Sequence, residues 1–129
     1  MPKKEVISPA ALSRTISAVS PATKFGNLVF VSGQTGRNPS TGEVSTDVRE
    51  QTHNALTSTK IALEEAGASM DNVLSANCWL KDAGDFAAFN EEYVKYFTAG
   101  NMPARTTVEA NFMSTGIIVE VMVTACIPD

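Results

Sequence analysis

Ile117-Ile118-Val119-Glu120-Val121-Met122-Val123-Thr124-Ala125-Cys126-Ile127 is the stretch on which the fold turns. It is rich in β-branched residues, follows Gly116 and is closed by Pro128, so it reads as a strand. Side chains alternate between the two faces of a strand. Ile117, Val119, Val121, Val123 and Ala125 make one apolar face. Ile118, Glu120, Met122, Thr124 and Cys126 make the other, and it too is largely apolar. A strand of this kind needs cover on both sides.

Working outward, Arg105 to Phe112 reads as a strand, and Asp85 to Phe97 as a helix with Phe86, Phe89, Tyr93, Tyr96 and Phe97 on or near one stripe. Val73 to Lys81 reads as a strand, with Leu74, Ala76, Cys78 and Leu80 on one face and Ser75, Asn77 and Trp79 on the other. Asp47 to Ala66 reads as a helix. Val48, Thr52, Ala55, Leu56, Thr59, Ala62, Leu63 and Ala66 recur at three- and four-residue spacing. Asp47 with Glu50 resembles a capping box, and Gly67 suits the C-terminal cap. Leu28 to Gly33 is a further strand, and Gly33 to Gly42 a loop dense in turn formers. Ile16 to Val19 is expected as a short edge strand.

The order is β(β)–α–β–α–β–β over a single domain, residues 1–129. It predicts an α+β fold: one mixed sheet with two helices on one face. Two helices cannot cover both faces of the last strand, so a neighbouring subunit is expected to cover the second.

Composition narrows the function. Hydrophobic residues are 43% and charged residues 19% of the chain, ordinary values for a globular domain. The net charge of −4 and pI of about 4.9 argue against a protein held on nucleic acid by a basic field. No secretory signal and no membrane span is read, and a cytoplasmic location is expected. Cys78 and Cys126 read as buried free thiols. His53 is the only histidine, which speaks against a metal site or a Ser-His-Asp relay, and it reads as a helix surface residue. Dinucleotide and P-loop fingerprints are absent.

Two charged residues draw attention. Arg105 follows Pro103-Ala104 at the start of an apolar strand. It is either a strand-end arginine in a surface ion pair or a guanidinium that grips a planar anion in a cleft, for which its forked donors are suited. Glu120 stands mid-strand between valines, where a carboxylate is costly unless it is paired or hydrogen-bonded. It is either a structural salt-bridge partner or a base that orients or deprotonates a water.

Several segments occur together in a fixed order: Val31-Ser32-Gly33-Gln34; Asn38-Pro39 with Thr41-Gly42-Glu43-Val44; Leu80-Lys81-Asp82 with Asp85-Phe86, Phe89-Asn90 and Tyr93; Pro103-Ala104-Arg105 with Val108-Glu109; and Val119-Glu120-Val121. In that order and spacing, from about Ala18 to Ile127, the chain resembles the Rid family, also called the YjgF family. The resemblance implies a chorismate-mutase-like α+β fold and a homotrimer with a central β-barrel and sites in the clefts between subunits. It implies hydrolysis of enamine and imine acids of the 2-aminoacrylate type to 2-keto acids and ammonia, with no cofactor, metal, membrane or nucleic-acid partner. By the same resemblance Arg105 is the carboxylate-binding arginine and Glu120 the residue that positions the hydrolytic water. Ser32 with Gly33, Asn90 and Thr107 line the substrate, Thr107 standing where many members carry cysteine. One departure concerns the pocket mouth. Many members carry Gly-Pro-Tyr near the first strand, whereas here Ala22 follows Pro21, leaving Phe25 as the nearest ring. Alternatives are a non-catalytic binder of small carboxylates, a pathway enzyme for a larger enamine such as 2-aminomuconate, and a ribonuclease, which the acidic pI disfavours.

Overall fold

Asp47 begins the longer helix by turning its carboxylate onto the backbone N–H of Glu50 at 3.1 Å. The helix α1 runs over Val48–Glu65. It ends where Gly67 takes φ +89°, a left-handed conformation that glycine adopts at no steric cost. These details come from a computed structural model that describes residues 1–12 and 18–129. The predicted apolar face of α1 is buried, with Ala55, Leu56, Ala62 and Leu63 fully so. Polar Gln51, Asn54 and Ser58 are buried beside it.

The sheet has six strands: β1 (Glu5–Ile7), β2 (Ala22–Phe25), β3 (Leu28–Thr35), β4 (Val73–Leu80), β5 (Ala104–Glu109) and β6 (Val119–Cys126). Their spatial order is β1-β2-β3-β6-β4-β5. All pairings are antiparallel except β4 with β5, which is parallel, so the sheet is mixed as expected. The second helix, α2, covers Phe86–Tyr93 and tightens into a 3₁₀ turn over Val94–Tyr96. Val29, Val31, Ala76, Cys78, Leu80, Val119, Val121, Val123 and Ala125 form the sheet's buried contribution to the core.

Several expectations change. The edge strand expected at Ile16 to Val19 falls partly on residues 16 and 17, which lie outside the described residues, and Ala18 and Val19 form a turn and a bend. The strand beside β3 is instead Ala22–Phe25. β3 continues two residues further than expected, to Thr35, and β5 stops at Glu109 rather than Phe112. Leu74 does not share a face with Ala76. A register shift between Val73 and Ser75 puts Val73 into the core and leaves Leu74 50% exposed, since one extra residue inverts the alternation.

β6 has the two faces read from its sequence. Val119, Val121, Val123 and Ala125 are buried by the helix side. The far face carries Leu28, Phe30 and Met122 at 37–45% exposure. No helix covers it. The arrangement agrees with an uncovered apolar second face and says nothing by itself of subunit number.

Candidate functional site

β5 is the outermost strand, and its parallel register sets Arg105 beside Ala76 and Thr107 beside Cys78. Ala76 and Cys78 are buried on the helix side, so Arg105 and Thr107 also project into the helix layer. There α2 presents Phe86, Phe89 and Tyr93, spaced to share one side of the helix. The Arg105 guanidinium carbon lies 5.6 Å from the centres of both phenylalanine rings and 4.7 Å from that of Tyr93. Cation–π attraction holds it in this aromatic cradle. The surface ion pair considered for Arg105 is not formed among the described residues.

Asn90 Oδ1, Tyr93 Oη and Thr107 Oγ1 are buried without a well-formed hydrogen bond among the described residues, although Tyr93 Oη still interacts with the Arg105 guanidinium and Thr107 Oγ1 with the Cys78 thiol. An unmade buried hydrogen bond costs about 1–3 kcal/mol, so such atoms call for an explanation in function. Burial pushes the Tyr93 phenol up to about 12, with Cys78 adding to the shift and Arg105 opposing it. Burial likewise pushes the Cys78 thiol up to about 12, although Arg105 and Thr107 pull it back. Cys78 is therefore a neutral thiol at neutral pH and no nucleophile.

Glu120 lies on the opposite face of the sheet. It is paired with Trp79 and Thr35, and Trp79 alternates with the buried Cys78 and Leu80. Its carboxylate enters a cleft of about 640 Å³ lined by Ser32, Gly33, Thr35, Ile117 and Met122 among others. No hydrogen bond or ion pair engages it among the described residues. Burial holds its pKa above the ordinary carboxylate value of 4.5.

A bulge brings Gly33 to this carboxylate. Val31 pairs with Val123 and Gln34 with Val121, so three residues of β3 answer two of β6. Ser32 and Gly33 thus both turn toward the Glu120 side. A Cβ on Gly33 would stand 2.9 Å from Glu120 Cδ and nearer still to Oε2. Ser32 Oγ donates to the Ser20 carbonyl at 2.5 Å, which commits its proton to the backbone. Neither Ala22 nor Phe25 reaches the cleft: Ala22 is buried in β2, and Phe25 is 52% exposed beside Leu28.

Within one chain, then, the expected residues divide into two groups. Arg105 and Thr107 lie on the helix side of the sheet, with Asn90 on α2, and Glu120, Ser32 and Gly33 gather on the opposite face. The aromatic cradle was visible in the sequence as a stripe but not as a partner of Arg105. Two further residues gave no sequence signal. Arg37 lines the Glu120 cleft. Gln51, fully buried in α1, bonds the carbonyls of Ser45 and Gly116 at 2.6 and 2.8 Å and accepts from Ile118 N–H at 2.9 Å. It ties two cleft-forming loops to the core.

Comparison with known proteins agrees with this architecture. A family model described as endoribonuclease L-PSP matches residues 10–127. A RutC family protein of Pyrococcus abyssi is 42% identical over 118 residues, covering 91% of this chain and 92% of that protein. The 2-iminobutanoate/2-iminopropanoate deaminase of Escherichia coli is 34% identical over 116 residues, 88% of each chain. A crystal structure of a Rid family protein of unknown function from Yersinia pestis superposes with a TM-score of 0.90 at 30% identity, covering 96% of this chain and 99% of that one.

Proposed function

The chain belongs to the Rid family, and from that membership we propose that it is a hydrolytic deaminase converting enamine and imine acids to 2-keto acids and ammonia. The observation that carries the reading is the unpaired Arg105 guanidinium, held among Phe86, Phe89 and Tyr93. A half-buried cation without an anionic partner suits the binding of a carboxylate. The kinship with the Escherichia coli imine deaminase supports the same chemistry.

The reaction needs no oxidant, since imine carbon and keto carbon share one oxidation level. The enamine tautomerises to the imine, and Arg105 holds its carboxylate. Glu120 takes a proton from a water whose oxygen bonds to the imine carbon, and the imine nitrogen is protonated. The resulting carbinolamine loses ammonia as the carbonyl forms. Such substrates hydrolyse unaided, so orientation and charge complementarity provide enough acceleration.

Arg105 and Glu120 face opposite sides of the same sheet. One site therefore takes Arg105 from one copy and Glu120 from another. A homotrimer, closed so that each uncovered sheet face meets the next copy, satisfies this and buries Phe30 and Met122 as well. The rival reading is a non-catalytic carboxylate binder. It draws on the lack of an aromatic ring from Ala22 or Phe25 in the cleft.

The test is ammonia release from 2-aminoacrylate generated in the cuvette. Arg105→Ala abolishes it while the assembly stays intact by sedimentation; full activity in this variant refutes the role. Saturable carboxylate binding with no turnover of any short imine favours the binder.

A further inference from the structure

The cleft that holds Glu120 contains a second charge that the proposed reaction leaves unused. Arg37 lies just beyond β3 and pairs with Val44 across a short bridge. The residues between them form a tight, heavily bonded turn. Asn38 N–H donates to the Glu43 carbonyl at 2.9 Å, and Gly42 N–H to the Asn38 carbonyl at 2.8 Å. Asn38 Oδ1 accepts from the N–H groups of Ser40 and Thr41 at 2.8 and 3.1 Å. Arg37 is clamped to the same turn, because its Nη1 donates to the Gly42 carbonyl at 2.8 Å. The clamp uses one nitrogen. Nε and Nη2 have no partner among the described residues, and no carboxylate lies within ion-pair distance.

Among the described residues Arg37 and Glu120 are the only charged ones that line the cleft, and they do not pair. Much of the remaining wall is apolar, with Leu12, Val19, Phe112, Met113, Ile117 and Met122. A half-buried guanidinium fixed on a rigid turn in such surroundings has its donors oriented in advance for a planar anion. In the proposed reaction the substrate's own carboxylate goes to Arg105. Arg37 is thus free to take a different anionic group.

Resting on the deaminase reading, we propose that Arg37 is a specificity residue selecting dicarboxylic substrates. These are imine or enamine acids whose side chain ends in a second carboxylate, held by Nε and Nη2 of Arg37. The charges favour such a substrate. A dianion brought beside ionised Glu120 needs two cations, and Arg105 with Arg37 provide them. An alkyl imine leaves Arg37 without a partner.

The experiment compares whole wild-type protein with Arg37→Met and Arg37→Lys. Imines are generated in situ from glutamate and aspartate, and from alanine and 2-aminobutanoate, and kcat/KM is measured for each. The expected result is a wild-type preference for the dicarboxylic imines. Arg37→Met reduces the preference ratio by about tenfold or more, the effect of losing a hydrogen bond between charged groups. Arg37→Lys restores part of it, because an ammonium keeps the charge without the fork. A wild type that prefers alkyl imines, or a ratio that Arg37→Met leaves unchanged, overturns the proposal. Proportional loss on both substrate classes also overturns it, since that identifies Arg37 as a staple of the turn. If no imine is turned over, the deaminase reading has failed instead, and calorimetry with 2-oxoglutarate and 2-oxobutanoate then decides the role of Arg37. Tighter binding of the dicarboxylate that Arg37→Met removes supports the anion site. Equal affinities, or no binding, refute it.

Discussion

Gly33→Ala is the sharpest perturbation of the carboxylate half of the site. Gly33 does not occupy the left-handed region, so the backbone accepts alanine. Replacing a strand glycine by alanine stabilises by about 0.5–1 kcal/mol where nothing obstructs the methyl. Here Glu120 obstructs it, with Cδ 2.9 Å from the new Cβ against an ordinary contact of 3.4 Å or more. The carboxylate is the free end of a flexible side chain, so it swings aside by on the order of 1 Å. A misplacement of about 1 Å costs about 100-fold in rate, equivalent to about 2.7 kcal/mol. We therefore expect kcat/KM for 2-aminoacrylate to fall by about two orders of magnitude with no loss of urea stability. A double-mutant cycle with Glu120→Ala isolates the cause: once Glu120 is gone, Gly33→Ala has nothing left to displace and its effect disappears. Activity within about twofold of wild type in the single variant would refute the reasoning. So would losses that multiply in the double variant, because the methyl would then be acting on something other than Glu120.

Two further substitutions probe the frame of the site. Gln51→Leu keeps the bulk of the side chain but strips three loop groups of their partners (Ser45 O, Gly116 O and Ile118 N–H). On the order of 3 kcal/mol of stability is expected to be lost, and an unshifted urea midpoint would show that the loops hold themselves. Glu120→Gln tests the raised carboxylate through pH. Between 4.5 and its higher folded value, folded Glu120 keeps a proton that the unfolded chain has released. Its effect on stability therefore worsens as pH rises through that window and is worst above it. Glu120→Gln should raise the urea midpoint at pH 8, with the gain vanishing below about pH 4; a lower midpoint at pH 8 would mean that the carboxylate is a structural partner.

What the sequence yielded depended on whether the signal was local. α1 was legible because Ala55, Leu56, Ala62 and Leu63 repeat with the helix and Asp47 and Gly67 mark its ends. β2 was not, since Ala22-Thr23-Lys24-Phe25 has no apolar alternation and becomes a strand by pairing with β3. Leu74 was placed on the wrong face because a bulge is a property of two strands and leaves no mark in one. In the site, Arg105 and Glu120 stood out as charges in apolar strands. The cradle of Arg105 and the bulge that carries Gly33 to Glu120 both arise from neighbours distant in sequence. Arg37 and Gln51 are ordinary residue types in a loop and a helix, and only burial and partners distinguish them.

The placement of Arg105 and Glu120 on opposite faces bears on the proposed chemistry and assembly. Arg105 follows the parity of Ala76, and Glu120 that of Trp79. β4 separates these two by an odd step, so no side-chain rotation within one chain carries both groups to one substrate through a packed sheet. If the two act together, the site comes into being only when the uncovered sheet face of one copy meets the β5 and α2 edge of another. The surface needed for that meeting is the one flanking Glu120, where Phe30 and Met122 are left 45% and 37% exposed. Burying them on association favours the assembly by about 25 cal/mol per Å² of apolar surface removed from water. Such an association would take Glu120 further from solvent and raise its pKa further. On the proposed reading, the apolar surface that would favour assembly is also the environment that raises the Glu120 carboxyl.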